Sequence, residues 1–247
     1  MTAEFYSYAT VVVLSRLVFL FHENELTAMR SGIMLSLQLF ALLLFTPGWL
    51  LLFAAAALLL VTLLHYRLEK RFANRLTEIR LAALAVLVVL LSLLFSEAAG
   101  LQFNTWLLDK LAHASRFFLL APASWCPRCS VVILGAALCL NELNLVVRYV
   151  FKKIDLQPTK QETDSQLISI DRSEYRAGWI IGILERLIVY IAVLSNQVAA
   201  IGFVLVAKGF TRFKELDKRR FAEYVLIGTL LSMLLAALTA LLVRAGI

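Results

Sequence analysis

The sequence predicts an all-α fold: a polytopic transmembrane helical bundle of about 6–8 membrane segments, two of them short helical hairpins. Three observations predict it. Of 247 residues, 61% are hydrophobic and 17% charged, against roughly 45–50% and about 25% in a soluble domain; mean hydropathy is +0.83. The excess comes in blocks nearly free of charge: LQLFALLLF (37–45), LLLFAAAALLLVTLL (50–64), LAALAVLVVLLSLLF (81–95), VVILGAALCL (131–140) and VLIGTLLSMLLAALTALLV (225–243). These runs are continuous, whereas a membrane β-barrel would alternate. Finally, the bases that give the net charge of +7 gather beside the apolar runs. That placement is a topology signal and points away from nucleic acid.

The elements follow in order. Residues 8–21 read as a retained helix rather than a secretory signal, because no basic n-region or small-residue cleavage site is present and Arg16 interrupts the apolar core. Span 32–65 has two apolar arms around the breaker Thr46-Pro47-Gly48, which predicts the first hairpin. Loop 66–80 carries Arg67, Lys70, Arg71, Arg75 and Arg80, and by the positive-inside rule is cytoplasmic. Segment 97–125 mixes Phe103, Trp106, Leu107, Leu111, Phe117 and Phe118 with Asp109, Lys110, His113 and Arg116, the composition of an interfacial helix on the outer surface.

Segment 151–177 is the long polar stretch, with Lys152, Lys153, Lys160, Arg172 and Arg176; it reads as a cytoplasmic connector. Bases Lys208, Arg212, Lys214, Lys218, Arg219 and Arg220 place 208–220 on the same side. The span between them therefore crosses twice or re-enters, and Ser195-Asn196-Gln197 predicts a second hairpin with arms 178–194 and 198–208. Interrupted apolar segments in both halves resemble the broken helices of transporters. The resulting organisation is an N-terminal membrane region 1–150 containing the amphipathic segment, the connector 151–177, and a C-terminal membrane region 178–247.

Chemistry-bearing motifs are sparse. Cys126-Pro127-Arg128-Cys129 lacks the βαβ setting of a thiol oxidoreductase and a second pair for zinc. At the outer face it reads as a local Cys126–Cys129 disulfide or as two idle thiols. The histidines His22, His65 and His113 make no HExxH, and no GxSxG, P-loop or GxGxxG occurs, so no nucleophile set, metal or cofactor is expected.

What remains is polar content inside apolar runs. Asn141, Glu142 and Asn144 form NELN, with Arg148 one turn beyond Asn144; Glu185 and Arg186 interrupt ILERLIVY; Gln197, Lys208 and Glu223 follow. Glu185 is too short to snorkel far, and a charge at the bilayer centre costs roughly 2.5–3.5 kcal/mol. Glu185 and Arg186 point about 100° apart on a helix, so each needs its own partner. Lys208 or Arg148 suits Glu185, and Glu223 or Glu142 suits Arg186. The expectation is one charge network that binds a ligand, fixes the packing, or both.

The strings GILERL (182–187), AAIGFVLVAKGFTRF (199–213) and AEYVLIGTLLS (222–232) resemble the end of an uncharacterised bacterial integral membrane family, over about 178–235. The resemblance implies a bacterial inner (cytoplasmic) membrane location and assigns no activity. Three functional readings stand: a small transporter or lipid-translocating protein; a non-catalytic anchor, sensor or scaffold that docks a soluble partner on its basic face; and, less supported, an enzyme acting within the membrane. The partners they call for are membrane lipids, a soluble or membrane protein, or a second copy of the chain.

Overall fold

A run of Leu, Ala and Val satisfies its backbone without outside partners only as helix. The computed structural model describes residues 3–19, 26–96, 99, 101–107, 110, 127–154, 172–211 and 219–246. Its helices are α1 (Ala3–Ser15), α2 (Ala28–Leu42), α3 (Trp49–Arg71), α4 (Leu76–Leu94), α5 (Pro127–Leu140), α6 (Glu142–Ile154), α7 (Arg172–Leu194), α8 (Ala199–Thr211) and α9 (Arg219–Gly246). Short 3-10 turns cover Arg16–Phe19 and Ala73–Arg75. Among the described residues, β pairing is limited to one bridge between Phe45 and Phe103.

Three helices are long and apolar enough to cross a membrane: Trp49–Arg71, Ala73–Leu94 and Ala222–Gly246. Arg128–Leu140 with Glu142–Ile154 makes a fourth if that broken pair counts as one span. The expectation of 6–8 segments is thereby corrected among the described residues. For five of the other six helices the reason is length; α7 has 23 residues but carries Glu185 and Arg186 within it. Helices α1, α6 and α8 have 13 residues, α5 has 14 and α2 has 15. At 1.5 Å per residue they reach about 20–23 Å, short of a hydrocarbon core of about 30 Å. The three long spans turn most of their surface outward, with 22%, 17% and 22% buried. Leu52, Phe53 and Leu60 on α3, Leu93 on α4 and Leu242 on α9 stand exposed, a distribution stable in lipid and costly in water.

The chain divides into two compact units, 1–141 and 142–246. The sequence reading placed 142–150 with the N-terminal region; in the fold α6 packs with α9. In the first unit α1 lies against α5 and α2, α2 against α3, and α3 against α4. One end is aromatic: Phe95 sits 5.3–6.3 Å from the rings of Phe45, Tyr8 and Phe5. The breaker Thr46-Pro47-Gly48 does separate α2 from α3. Thr46 N–H donates to the Gln102 carbonyl (3.0 Å) and Asn104 N–H to the Leu44 carbonyl (2.9 Å), tying the start of segment 97–125 to this turn. Most of that amphipathic segment lies outside the described residues, as do 155–171 of the polar connector.

The expected loop 66–80 is mostly helix. Helix α3 continues to Arg71, and Phe72 with the turn Ala73–Arg75 leads directly into α4. Helical spacing carries His65 and Glu69 to the inner face of α3, while Arg67, Lys70 and Arg71 stay exposed.

In the second unit α7 and α8 form a hairpin. The chain turns at Ser195–Val198, where Asn196 adopts φ 58°, a left-handed conformation Asn tolerates. Arg186 meets Ser232 and Asn196 meets Arg244, so α7 and α9 run parallel, with α8 returning between them in sequence. Phe151 of α6 packs against Tyr224 near the start of α9, with centroids 4.9 Å apart and the rings tilted by 35°.

Candidate functional site

Helix α7 is built inside out. Ile183, Glu185, Arg186, Val189, Tyr190 and Val193 are buried, at helical spacing, while Leu184, Ile188 and Ile191 are exposed. Two charges thus take the inner stripe and three large aliphatic side chains face outward. Inward charges and outward apolar residues are the arrangement expected of a helix solvated by lipid.

Glu185 and Lys208 lie equally far from the turn Ser195–Val198, so the antiparallel arms bring them level. Lys208 Nζ donates to Glu185 Oε2 at 2.6 Å. Lys208 is one of the two bases anticipated for Glu185, the other being Arg148 on α6. Lys208 and Glu185 side chains retain 18% and 10% exposure, so the pair is not sealed. Arg186 turns to α9, where its Nη1 donates to Ser232 Oγ at 3.4 Å. Ser232 lies near the middle of the candidate span 222–246.

The other anticipated residues occupy varied settings. Asn141 and Glu142 are buried, Asn144 and Arg148 half-buried, and Glu223 exposed near the start of α9. Gln197 is exposed at the hairpin tip, its N–H donating to the Ala192 carbonyl at 2.7 Å. It lies about 18 Å along the helix from Glu185 and is not part of that pair. Cys129 is a free, exposed thiol at the start of α5; Cys126 lies outside the described residues.

A second polar cluster, in the first unit, escaped the sequence reading. Glu69 has no solvent exposure. Its Oε1 accepts from Arg80 Nε (2.8 Å), and His65 Nε2 lies 3.1 Å from the same oxygen. Its Oε2 accepts the Leu26 N–H (2.9 Å) and Arg80 Nη2 (3.4 Å). Arg16, also without exposure, donates from Nη2 to the Arg80 carbonyl at 2.8 Å. Gln38 joins from α2, its Nε2 donating to Ser15 Oγ at 2.9 Å, and Phe19 lies beneath both guanidiniums, 5.2 Å from Arg16 and 4.6 Å from Arg80. The carboxylate thus ties α3 to α4 and to the approach to α2, and Arg16 ties the end of α1 to the Arg80 backbone. The available signal was the i,i+4 pair His65/Glu69 together with Arg16 inside an apolar run.

Chemically the two clusters differ. Around Glu69 three hydrogen bonds, from Arg80 Nε and Nη2 and the Leu26 N–H, and the His65 ring against Oε1 leave little to offer a ligand. The Glu185–Lys208 pair presents an acid and a base side by side with a partial opening. Among the described residues no group of three His, Cys, Asp or Glu side chains is placed to hold a metal ion. No protein family, curated protein or solved structure matches the chain, so its function is read from the site itself.

Proposed function

We propose that the chain is a multi-pass bacterial inner-membrane protein of the small transporter or lipid-translocating class, with Glu185–Lys208 as its intramembrane charged site. The observation that carries this reading is an incompletely sealed ion pair, 2.6 Å long, between two hairpin arms beside the middle of a membrane-length helix. Charges at that depth normally face protein or a polar pathway, since lipid chains solvate them poorly. The exposed apolar faces of α3, α4 and α9 support the membrane setting. The short helices α2 and α8 serve as arms that enter the bilayer without crossing it, which is where the count of membrane segments rises above three. The bacterial inner membrane follows from the resemblance over 178–235.

The experiment is reconstitution into vesicles carrying a fluorescent lipid, with loss of fluorescence to an impermeant quencher as readout. Protein should speed exchange between leaflets, and Glu185→Gln or Lys208→Met should remove most of that gain. Vesicles with and without protein behaving alike would end the lipid-translocating reading.

The scaffold reading has one observation in its favour. Arg67, Lys70, Arg71 and Arg75 are exposed around the α3–α4 turn, a basic surface open to an acidic soluble protein. A stoichiometric soluble partner recovered from native membranes, and lost when these four residues become Gln, would favour it.

A further inference from the structure

We propose that the Glu185–Lys208 pair receives the headgroup of a zwitterionic aminophospholipid, Lys208 taking the phosphate and Glu185 the primary ammonium. This rests on the lipid-translocating reading and names its substrate class. The pair offers one acid and one base at 2.6 Å, so their ligand partners must also be opposite charges held close together. A phosphate joined to an ammonium by a two-carbon bridge has that form. The exchange is charge-balanced at each stage. The internal ion pair opens, and two ion pairs replace it, so no charge is left alone in low dielectric.

The surroundings fit the rest of such a ligand. Leu184 and Ile188 flank Glu185 on the outward side of α7, and Val206 and Phe210 flank Lys208 on α8, all exposed. These side chains suit acyl chains, which no water-soluble ligand possesses. The site is also accessible in a way Glu69 is not: Glu185 and Lys208 keep 10% and 18% exposure, whereas Glu69 keeps none.

The same chemistry ranks the competitors. A headgroup carrying a phosphate alone satisfies Lys208 and strands Glu185, so it brings an unpaired charge into the site. A choline headgroup is neutral overall, but its quaternary nitrogen has no N–H to donate to the carboxylate. Leaving one buried polar group unsatisfied corresponds to about tenfold or more in rate or affinity.

The test uses the full-length protein in phosphatidylcholine vesicles with trace lipids labelled on the acyl chain, so that each headgroup is intact. Phosphatidylethanolamine should exchange between leaflets about tenfold faster than phosphatidylglycerol or phosphatidylcholine. In Glu185→Gln the ethanolamine lipid should fall to the rate of the choline lipid. The charge swap Glu185→Lys with Lys208→Glu keeps a neutral pair and should keep the preference, which separates loss of recognition from loss of fold. Equal rates for all three lipids in a protein that moves them, or a preference untouched by Glu185→Gln, overturn the headgroup assignment and leave the translocation reading standing. A preference for phosphatidylglycerol would make the neighbouring Arg186 the selecting charge and also overturn it. Uptake of soluble phosphoethanolamine without movement of its lipid would assign the site to the free headgroup and overturn the lipid source. No movement of any lipid sinks the underlying reading itself.

Discussion

Glu69 and Glu185 are both carboxylates buried within helical units, each paired with one base across a helix–helix contact. Their settings differ in what surrounds the pair. Glu69 meets two guanidinium nitrogens of Arg80, the Leu26 N–H and the His65 imidazole, with no solvent exposure. Glu185 meets Lys208 through a single 2.6 Å contact and stays partly open. A planar guanidinium locks a carboxylate in one geometry, while an ammonium on a flexible stem holds it as a point charge that can be exchanged. Burial depth alone therefore does not separate a structural charge from a functional one. On the proposed function, the number of fixed donors around the acid does.

The strongest way to break that contrast is to remove Glu69. Glu69→Gln deprives the buried Arg80 guanidinium of its acid, and breaking a buried pair costs about 3–5 kcal/mol. Purified in detergent, the variant should lose most of its thermal stability. The double change Glu69→Leu with Arg80→Leu should cost less than Glu69→Gln alone, because no charge is stranded. A single variant as stable as the parent would mean the cluster is not a clamp.

A second test asks what holds the other unit if its ion pair does not. An added Cβ at Gly228 of α9 would lie 2.9 Å from Cζ of Phe151, so α6 and α9 approach through the missing side chain. Phe151 also packs against the Tyr224 ring, 4.9 Å between centroids, which limits where it can move. Gly228→Ala should therefore destabilise by roughly 1–3 kcal/mol despite the better helix propensity of Ala. Adding Phe151→Leu should recover part of the loss. Stabilisation by Gly228→Ala alone would show the ring moves aside freely.

If the proposed function holds, the ion pair itself should matter less for stability than for lipid exchange. A double-mutant cycle on Glu185→Gln and Lys208→Met should return a coupling of about 1 kcal/mol, discounted for its partial exposure. Coupling as large as that of Glu69 with Arg80 would erase the distinction drawn between the two sites.

Why one acid was legible in the sequence and the other was not has a physical answer. Glu185 interrupts an apolar run, where any charge is conspicuous, and its partner follows from the symmetry of a hairpin whose turn residues are visible. Glu69 and Arg80 sit among Arg67, Lys70, Arg71 and Arg75, in a stretch whose basic density suggests a solvated loop. Only the helical continuation of α3 and the brevity of the turn at Ala73–Arg75 bring Glu69 and Arg80 face to face. Breakers were legible for the same reason: Thr46-Pro47-Gly48 and Ser195-Asn196-Gln197 act locally. Helix lengths were not, because an apolar run does not reveal where its last turn ends.

The smallest expected effect lies at the tip that makes the Glu185–Lys208 pairing possible. Asn196 adopts φ 58°, a left-handed conformation that costs most side chains about 1–2 kcal/mol and costs Gly almost nothing. Its Oδ1 also accepts from Arg244 Nη1, but at 3.4 Å and on the exposed surface. A bond that long in a solvated setting contributes little. The backbone conformation therefore dominates the choice of residue. Asn196→Gly should change stability by no more than about 0.5 kcal/mol, the lost contact being offset by relief at the backbone. Asn196→Ala, which loses the same contact and keeps a Cβ, should cost about 1 kcal/mol. Both are measured as shifts in thermal unfolding in one detergent, beside Arg244→Gln. If Asn196→Gly falls as far as Asn196→Ala and Arg244→Gln matches them, the side-chain bond holds the turn. The hairpin would then depend on α9 for its shape.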